Sequence, residues 1–365
     1  MACKICENHD HIDILTKNAI PIWTGSSEIE DDFYPCNLKQ CTKCGHVYEE
    51  ISAELSDKLT KIYSSTHAQA STPPGNGNWG LTRAEFFLNK INYQEYTSAI
   101  EIGCADGFFL HFLENHGYKK LIGIEPSLSK NSIIGTIQFI SAFANEKTKL
   151  NEKVDLIFSN AVFEHIEDIN GVLKFCKNHL NMNGELFFAV PNAQIELETN
   201  DPALFIHEHV HYYTKDALTY LLAQNGFKIK SIIQECSATY VSAVLNDNLD
   251  ITSYTPQMYT SYSKVLDEKL AQFENIMDTN KNIIIHGANN KLNNILGWSK
   301  KNFSFTLTDN DDNKYHKYFF CHQVHKPGEL NLQEYDCIVI IPSCFYEIIK
   351  HEYVKLGFTG KFYKA

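Results

Sequence analysis

The sequence predicts an α/β protein in three parts: a cysteine-bearing N-terminal module, a central Rossmann-like parallel sheet with crossover helices, and a smaller Rossmann-like α/β unit at the C-terminus. Three observations carry that reading. Two Cys-x-x-Cys pairs lie within the first 44 residues. Between residues 97 and 245, short continuous apolar runs alternate with amphipathic segments, the pattern of strands buried on both faces and joined by helices. After residue 281 a second alternation of the same kind begins. A chain of 365 residues fits two or three domains, and the expected division is 1–70, 71–250 and 251–365.

Composition narrows the function classes. Hydrophobic residues make up 44% and charged residues 21%, which supplies a core and excludes global disorder. No run of eighteen apolar residues is present, so no membrane-spanning helix is expected. The opening residues MACKICENHDHIDIL lack the basic-then-apolar pattern of a secretory signal. A net charge of −12 disfavours nucleic acid as a partner while leaving room for a small anionic substrate. The eleven cysteines are an odd number crowded toward one end, so reduced thiols and a metal site are expected over a disulfide framework, and with them a cytoplasmic setting.

In order along the chain, strands are expected at Ala99–Ile102, Leu121–Ile124, Ile137–Ile140, Leu156–Ser159, Leu186–Val190 and Lys228–Ile233. Helices are expected at Phe108–His116, Val162–Asn178 and Lys215–Asn225. The Pro-, Gly- and Asn-rich run at 71–78 reads as a loop or hinge. In parallel sheets of this kind, ligands sit beyond the carboxyl ends of the strands.

Cys3, Cys6, Cys41 and Cys44 form the two pairs. Each pair sets two thiolates on a tight turn, and two facing turns give the four-sulfur tetrahedron that zinc accepts. Such a site has no open position, so its expected role is structural. The alternative is four small buried hydrophobes. Cys36 stands outside the pairs and reads as a buried thiol.

The segment Ala99-Ile100-Glu101-Ile102-Gly103-Cys104-Ala105-Asp106-Gly107-Phe108-Phe109 is a strand, a glycine turn and a helix start. It lacks the Gly-x-Gly-x-x-Gly spacing of a pyrophosphate cradle. Glu125 then ends the next strand, 22 residues past Gly103, where a carboxylate can accept both hydroxyls of a ribose. A nucleoside ligand without a pyrophosphate, such as S-adenosylmethionine, fits this pair.

At this point the sequence resembles the class I S-adenosylmethionine-dependent methyltransferases. Phe139–Phe143, Asp155–Ile166 and Gly184–Asn192 look like that family's third, fourth and fifth strands with their following segments. The resemblance implies cofactor contacts from Glu101, Gly103, Asp106, Gly107, Glu125, Pro126, Phe143 and Asn160. Glu164 and His165 lie one apart on an expected helix, so they do not face each other and read as helix-start and packing residues.

After the fifth strand, Phe205-Ile206-His207-Glu208-His209-Val210-His211-Tyr212-Tyr213 concentrates histidines where substrate loops lie. Histidine suits proton transfer near neutral pH. Alternation would also put residues 207, 209 and 211 on one face, where three imidazoles can bind a metal, and a polar loop is the third reading. The cysteine pairs, Tyr63-Ser64-Ser65-Thr66, Glu101–Phe108 and His207-Glu208-His209 together resemble the sugar C-methyltransferases, which methylate carbon beside a ketone on nucleotide-linked deoxysugars. The resemblance implies that His209 is the catalytic histidine, with Glu208 beside it and Tyr63 near the substrate. Tyr63 or His207 would stabilise an enolate oxygen. The tetrad's first residue is Ile206 rather than tyrosine, and Cys236–Tyr240 stands where a Thr-His-Gly-Gly-like segment would be. An O-methyltransferase on a hydroxylated metabolite is the alternative, and a non-catalytic zinc-ribbon binding module is another.

The C-terminal unit reads as strand, glycine turn and helix over Asn282–Lys291, then a strand ending at Asp309, then a buried strand from Cys337. A phosphate near Gly287, assisted by Lys291, is one reading, and a structural lobe shaping the substrate cleft is the other.

Overall fold

The computed structural model describes residues 2–22, 33–64, 84–235, 238–246, 255–299, 301–319 and 322–365. The expected hinge at 71–78 lies outside them, as do Ser65, Thr66, Cys236 and Ser237.

The N-terminal sheet is built from β1 (His11–Pro21), β2 (Phe33–Cys41) and β3 (Val47–Glu49), paired antiparallel. Helix α1 (Ala53–Tyr63) follows, its first turn capped by the Ser52 hydroxyl, which accepts the Leu55 N–H at 3.1 Å.

The central unit runs β4 (Ser98–Ile102), α2 (Phe108–Asn115), β5 (Lys120–Ile124), β6 (Ser132–Ile134), β7 (Ile137–Ile140), β8 (Val154–Asn160), α3 (Ile169–His179), β9 (Leu180–Pro191), α4 (Ala193–Thr199), β10 (His211–Tyr212), α5 (Lys215–Gln224), β11 (Phe227–Gln234) and β12 (Ala238–Leu245). Its sheet has the order β11-β12-β9-β8-β4-β5-β7-β6. The five strands from β9 to β7 are parallel, as their continuous apolarity predicts. The edges differ from expectation. β11 and β12 form an antiparallel hairpin against β9, because a connection too short for a crossover can only reverse the chain. Successive strands run from β4 out to β7 and then cross back to β8, so a crevice opens between the carboxyl ends of β4 and β8.

The C-terminal unit contains α6 (Tyr262–Thr279), β13 (Ile283–His286), α7 (Asn290–Trp298), β14 (Thr306–Thr308), β15 (Tyr318–Phe319), β16 (His322–His325), β17 (Cys337–Ile340), α8 (Tyr346–Lys355) and β18 (Lys361–Lys364). Four of its strand pairings are parallel, with the Asn289 side chain capping α7. Cys344 is disulfide-bonded, while the other described cysteines are free thiols, in keeping with no disulfide framework.

One apolar core crosses the expected boundaries. Ile14, Ile20 and Leu38 of the N-terminal sheet, Phe205 and Tyr212 of the loop after α4, and Leu266, Ile285 and Trp298 of the C-terminal unit pack together. β10 completes the link by pairing with β3, His211 opposite Tyr48 and Tyr212 opposite Val47. The histidine-rich loop is thereby stitched to the cysteine module.

Candidate functional site

The crevice is lined first by the turn after β4. Gly103 and Gly107 sit at φ +74° and +82°, the left-handed region that glycine reaches without strain. The Gly103 N–H donates to the Ile124 carbonyl at 2.8 Å. A Cβ on Gly103 would come 2.4 Å from Val162 Cγ2, and one on Gly107 would come 2.5 Å from Phe139 Cζ. Asp106 is exposed and accepts the Phe108 N–H at the start of α2, 3.2 Å away.

Glu125 closes the other wall. Its Oε2 accepts the Ala105 N–H at 3.2 Å, and its Oε1 accepts the N–H and hydroxyl of Ser127 at 2.9 and 2.7 Å. A carboxylate offers about four acceptor positions, so three donors leave capacity for a hydroxyl. Glu101 is buried at the middle of the sheet, and Pro126 is half-buried beside Glu125. Phe143 stands with its ring 47% exposed past β7, and Asn160 ends β8 half-buried. The Val162 side chain fills the space beside Gly103, while Glu125 keeps acceptor capacity for a hydroxyl.

Sequence reasoning placed Glu164 and His165 on a helix running from Val162 to Asn178. The structure splits that segment. Ala161 at φ +56° turns the chain, a 3-10 turn covers Phe163–His165, and α3 begins only after Asp168, whose carboxylate caps it by accepting the Gly171 N–H at 2.9 Å. The Asp-x-x-Gly cap was the signal that could have revealed the break.

This turn is clasped to the histidine loop. Val210 N–H donates to the Glu164 carbonyl at 2.8 Å, and the Tyr213 hydroxyl donates to the Phe163 carbonyl at 3.1 Å. His165 and His209 consequently meet edge to face with ring centroids 4.8 Å apart. His165 Nδ1 lies 2.5 Å from the Glu208 carbonyl, so it carries the proton there, and Nε2 keeps its lone pair. Tyr63, at the end of α1, donates its hydroxyl to the same carbonyl at 3.0 Å and stands 2.8 Å from His165 Nδ1. Burial holds the His209 pKa well below the ordinary histidine range, with His165 adding to the effect, and brings His165 down to about 4. Burial likewise lifts Glu164 to about 8.

The three loop histidines do not converge. Residues 206–209 form a turn, with His209 N–H donating to the Ile206 carbonyl, so the two-residue alternation fails. His207 is fully buried, with Nδ1 2.7 Å from Glu49 Oε1 and Nε2 2.9 Å from the Tyr34 carbonyl. Both its nitrogens are committed, which removes it as a donor to substrate. Glu208 enters the cluster through its main-chain carbonyl. His211 turns the other way, onto His46 at 3.0 Å.

His209 and Tyr212 also line a cavity of about 790 Å³ between α4 and the C-terminal unit, with Lys269, Lys291 and Phe345 on the far wall. Lys291 is not free to hold a phosphate beside Gly287. Its ammonium donates to Asp201 Oδ2, the Ser343 hydroxyl and the main-chain oxygen of Ala365 at 2.9, 2.6 and 2.7 Å. Gly287 itself is packed against Pro342.

At the N-terminus Cys3, Cys6, Cys41 and Cys44 come together, all four sulfurs within 4.8 Å of one another. Cys3–Cys44 and Cys6–Cys41 are each 3.6 Å apart. That matches the edge, about 3.8 Å, of a tetrahedron with 2.3 Å metal–sulfur bonds. Hydrogen bonding from the Cys3 thiol pulls Cys6 down to about 7 and Cys41 lower still, so part of the set ionises readily. His46 Nδ1 and Asn8 Nδ2 each approach a sulfur at 3.6 Å from outside. Cys36 is a separate buried thiol beside the Asn18 carbonyl.

Comparisons with known proteins fall on this geometry. Residues 54–232 match a family model described as a methyltransferase domain, and residues 279–361 match one described as C2185-like, N-terminal. The tRNA U34 carboxymethyltransferase of Campylobacter hominis is 31% identical over 99 residues, covering 24% of this chain and 33% of that one. The chain thus spans about a third of the curated relative it matches. A 1,6-didemethyltoxoflavin-N1-methyltransferase from Burkholderia thailandensis aligns at 11% identity, TM-score 0.40, over 55% of this chain and 96% of its own. An S-adenosylmethionine-dependent methyltransferase from Mesorhizobium loti aligns at 15% identity, TM-score 0.36, over 44% and 97%. No helix among the described residues is long and apolar enough to cross a membrane. The family model lies over the glycine turn, Glu125 and the strand ends, so residues 54–232 match a methyltransferase domain.

Proposed function

We propose that the chain moves the methyl group of S-adenosylmethionine to a carbon beside the carbonyl of a nucleotide-linked ketosugar, with His209 as the base. The observation that carries this reading is the cluster of Tyr63, His165 and His209, clasped between the glycine turn and the large cavity. The cradle residues for the cofactor are Gly103, Asp106, Gly107, Glu125, Pro126, Phe143 and Asn160, with Glu101 supporting the turn from below. Four thiolates at Cys3, Cys6, Cys41 and Cys44 suit a structural zinc, which would fix the module carrying β3 and hence the loop paired to it.

When bound, the cofactor supplies an electrophilic methyl on a sulfonium. A sugar carbon is a poor nucleophile until the proton alpha to its carbonyl is removed. His209 is the acceptor for that proton: its depressed pKa keeps the ring neutral at pH 7, and no hydrogen bond among the described residues holds either ring nitrogen. The electron pair left on carbon, shared with the carbonyl oxygen, would be the nucleophile toward the methyl, whose bond to sulfur would break with its electrons leaving on S-adenosylhomocysteine. Tyr63 and the Glu208 carbonyl act on His165, whose ring they orient against His209. Lysines 269 and 364 on the cavity wall supply positive charge toward a nucleotide in a chain of net charge −12.

The test is a panel of nucleotide-linked ketosugars with methyl-labelled cofactor, products read by mass spectrometry and NMR. A methyl on carbon is expected, together with exchange of the alpha proton in heavy water when S-adenosylhomocysteine replaces the donor. A methoxy product would move the acceptor to oxygen, where His209 would deprotonate a hydroxyl instead. No transfer to any ketosugar would overturn the substrate class.

A further inference from the structure

We infer that Glu164, His165 and His209 form a three-ligand site for a divalent transition-metal ion, and that an ion bound there silences the base. The inference rests on the proposed role of His209 only for its effect on activity; the ion site itself stands on geometry.

One carboxylate oxygen and one nitrogen from each ring lie within 4.8 Å of one another. His165 Nε2 is 3.8 Å from Glu164 Oε1. With ligand bonds of about 2.0–2.2 Å a tetrahedral site spaces its ligand atoms by about 3.4 Å, so the widest pair must close by up to about 1.4 Å when an ion binds. The turn fixes the His209 main chain, its N–H donating to the Ile206 carbonyl, so the movement would fall to rotation of the His209 side chain.

Three further features point to a ligand. Glu164 is 1% exposed, and its Oε2 has no hydrogen-bond partner, an uncommon state for a buried carboxylate oxygen. His165 donates Nδ1–H to the Glu208 carbonyl, the outer hydrogen bond that metal-ligating histidines characteristically make, and it presents Nε2 inward. His209 lines the cavity, so a bound ion would keep open positions toward it. Two imidazoles and one carboxylate favour Zn²⁺, Ni²⁺ or Co²⁺ over Mg²⁺ or Ca²⁺. This site differs from the four-thiolate cluster in ligand softness and in having room for a fourth ligand. A histidine nitrogen has one lone pair in the ring plane. The pair that takes a proton in methyl transfer is the pair that would bind the ion, so the two occupations exclude each other.

The experiment uses the full chain loaded with zinc, freed of excess, with metal counted by elemental mass spectrometry and Ni²⁺ binding followed by calorimetry. Two zinc ions per chain are expected in wild type, one in Glu164→Gln or His165→Ala, and one in Cys41→Ser. Ni²⁺ affinity is expected to fall at least 10–100-fold in Glu164→Gln, an isosteric change chosen to preserve folding. A single zinc in wild type at saturation, or two zincs retained in Glu164→Gln and His165→Ala alike, would overturn the site. Methyl transfer by wild type is expected to fall as the second equivalent is added. If the second zinc binds at Glu164 while transfer continues undiminished, the silencing is overturned and His209 is not the base, although the ion site stands.

Discussion

Gly103 carries two demands at once. Its φ of +74° lies where a Cβ is strained, and Val162 Cγ2 occupies the place that a Cβ would take. Val162 also begins the turn that ends in Glu164 and His165, so pushing it away disturbs both the cradle and the imidazole pair. Gly103→Ala is therefore expected to cost about 1–3 kcal/mol of stability and to weaken S-adenosylhomocysteine binding, measured by chemical denaturation and calorimetry. Unchanged stability and affinity would mean that the turn is looser than described. Glu196 makes a second residue-scale case. Burial, then the neighbouring Asp201 charge, lifts its carboxyl from 4.5 to about 8, with Lys291 opposing. The folded state thus binds the proton more tightly than the unfolded chain. The stability tied to that proton is fully present below pH 4.5 and is lost as pH rises through 8, at a slope of at most about 1.4 kcal/mol per pH unit. Denaturation midpoints measured from pH 5 to 9 should fall with pH, and Glu196→Gln should flatten that fall.

Among the elements, the cysteine module shows the clearest link from spacing to chemistry. The two pairs arrive on turns at the same end of the β1–β2 ribbon, where His11 opposes Cys41, and the sulfurs meet at metal-bonding separations. Cys41→Ser is expected to release the proposed zinc and to lower the melting temperature by several degrees, because the binding energy of a structural zinc is folding energy. Equal metal content and equal melting in the variant would refute a zinc role for the cluster. The same element explains what was legible beforehand. Buried parallel strands announce themselves by unbroken apolar runs, so β4, β5, β7, β8 and β9 could be located from the sequence. β10 could not: two residues paired across to β3 have no periodicity of their own. The site divides along the same line. The glycine turn and Glu125 are adjacent to strand ends and could be read locally. The pairing of His165 with His209 depends on a hydrogen bond between main chains 46 residues apart, Val210 to Glu164, and no local pattern encodes it. His207 was misread for a related reason, since its partners Glu49 and Tyr34 come from a different sheet.

Across the whole molecule, the N-terminal sheet, the histidine loop and the C-terminal unit share one core, which makes the site an assembly of three segments rather than the property of one domain. Phe205 is fully buried at the junction, its ring beside His207 and Trp298. Phe205→Ala is expected to cost about 3–5 kcal/mol and to loosen β10 and α7 together, read as a joint loss of amide-exchange protection in both. Loss confined to one of them would show the units to be energetically separate. The account as a whole stands on a cradle for the methyl donor facing an imidazole that handles a proton, and these two functions can be separated. The most direct measurement is calorimetric titration of S-adenosylhomocysteine into wild type, Glu125→Gln and His209→Asn, paired with turnover on the same preparations. The expected result is binding by wild type, binding weakened about 10–100-fold by Glu125→Gln, and unchanged binding with turnover reduced at least about 100-fold in His209→Asn. Absence of binding by wild type, or full turnover by His209→Asn, would contradict it.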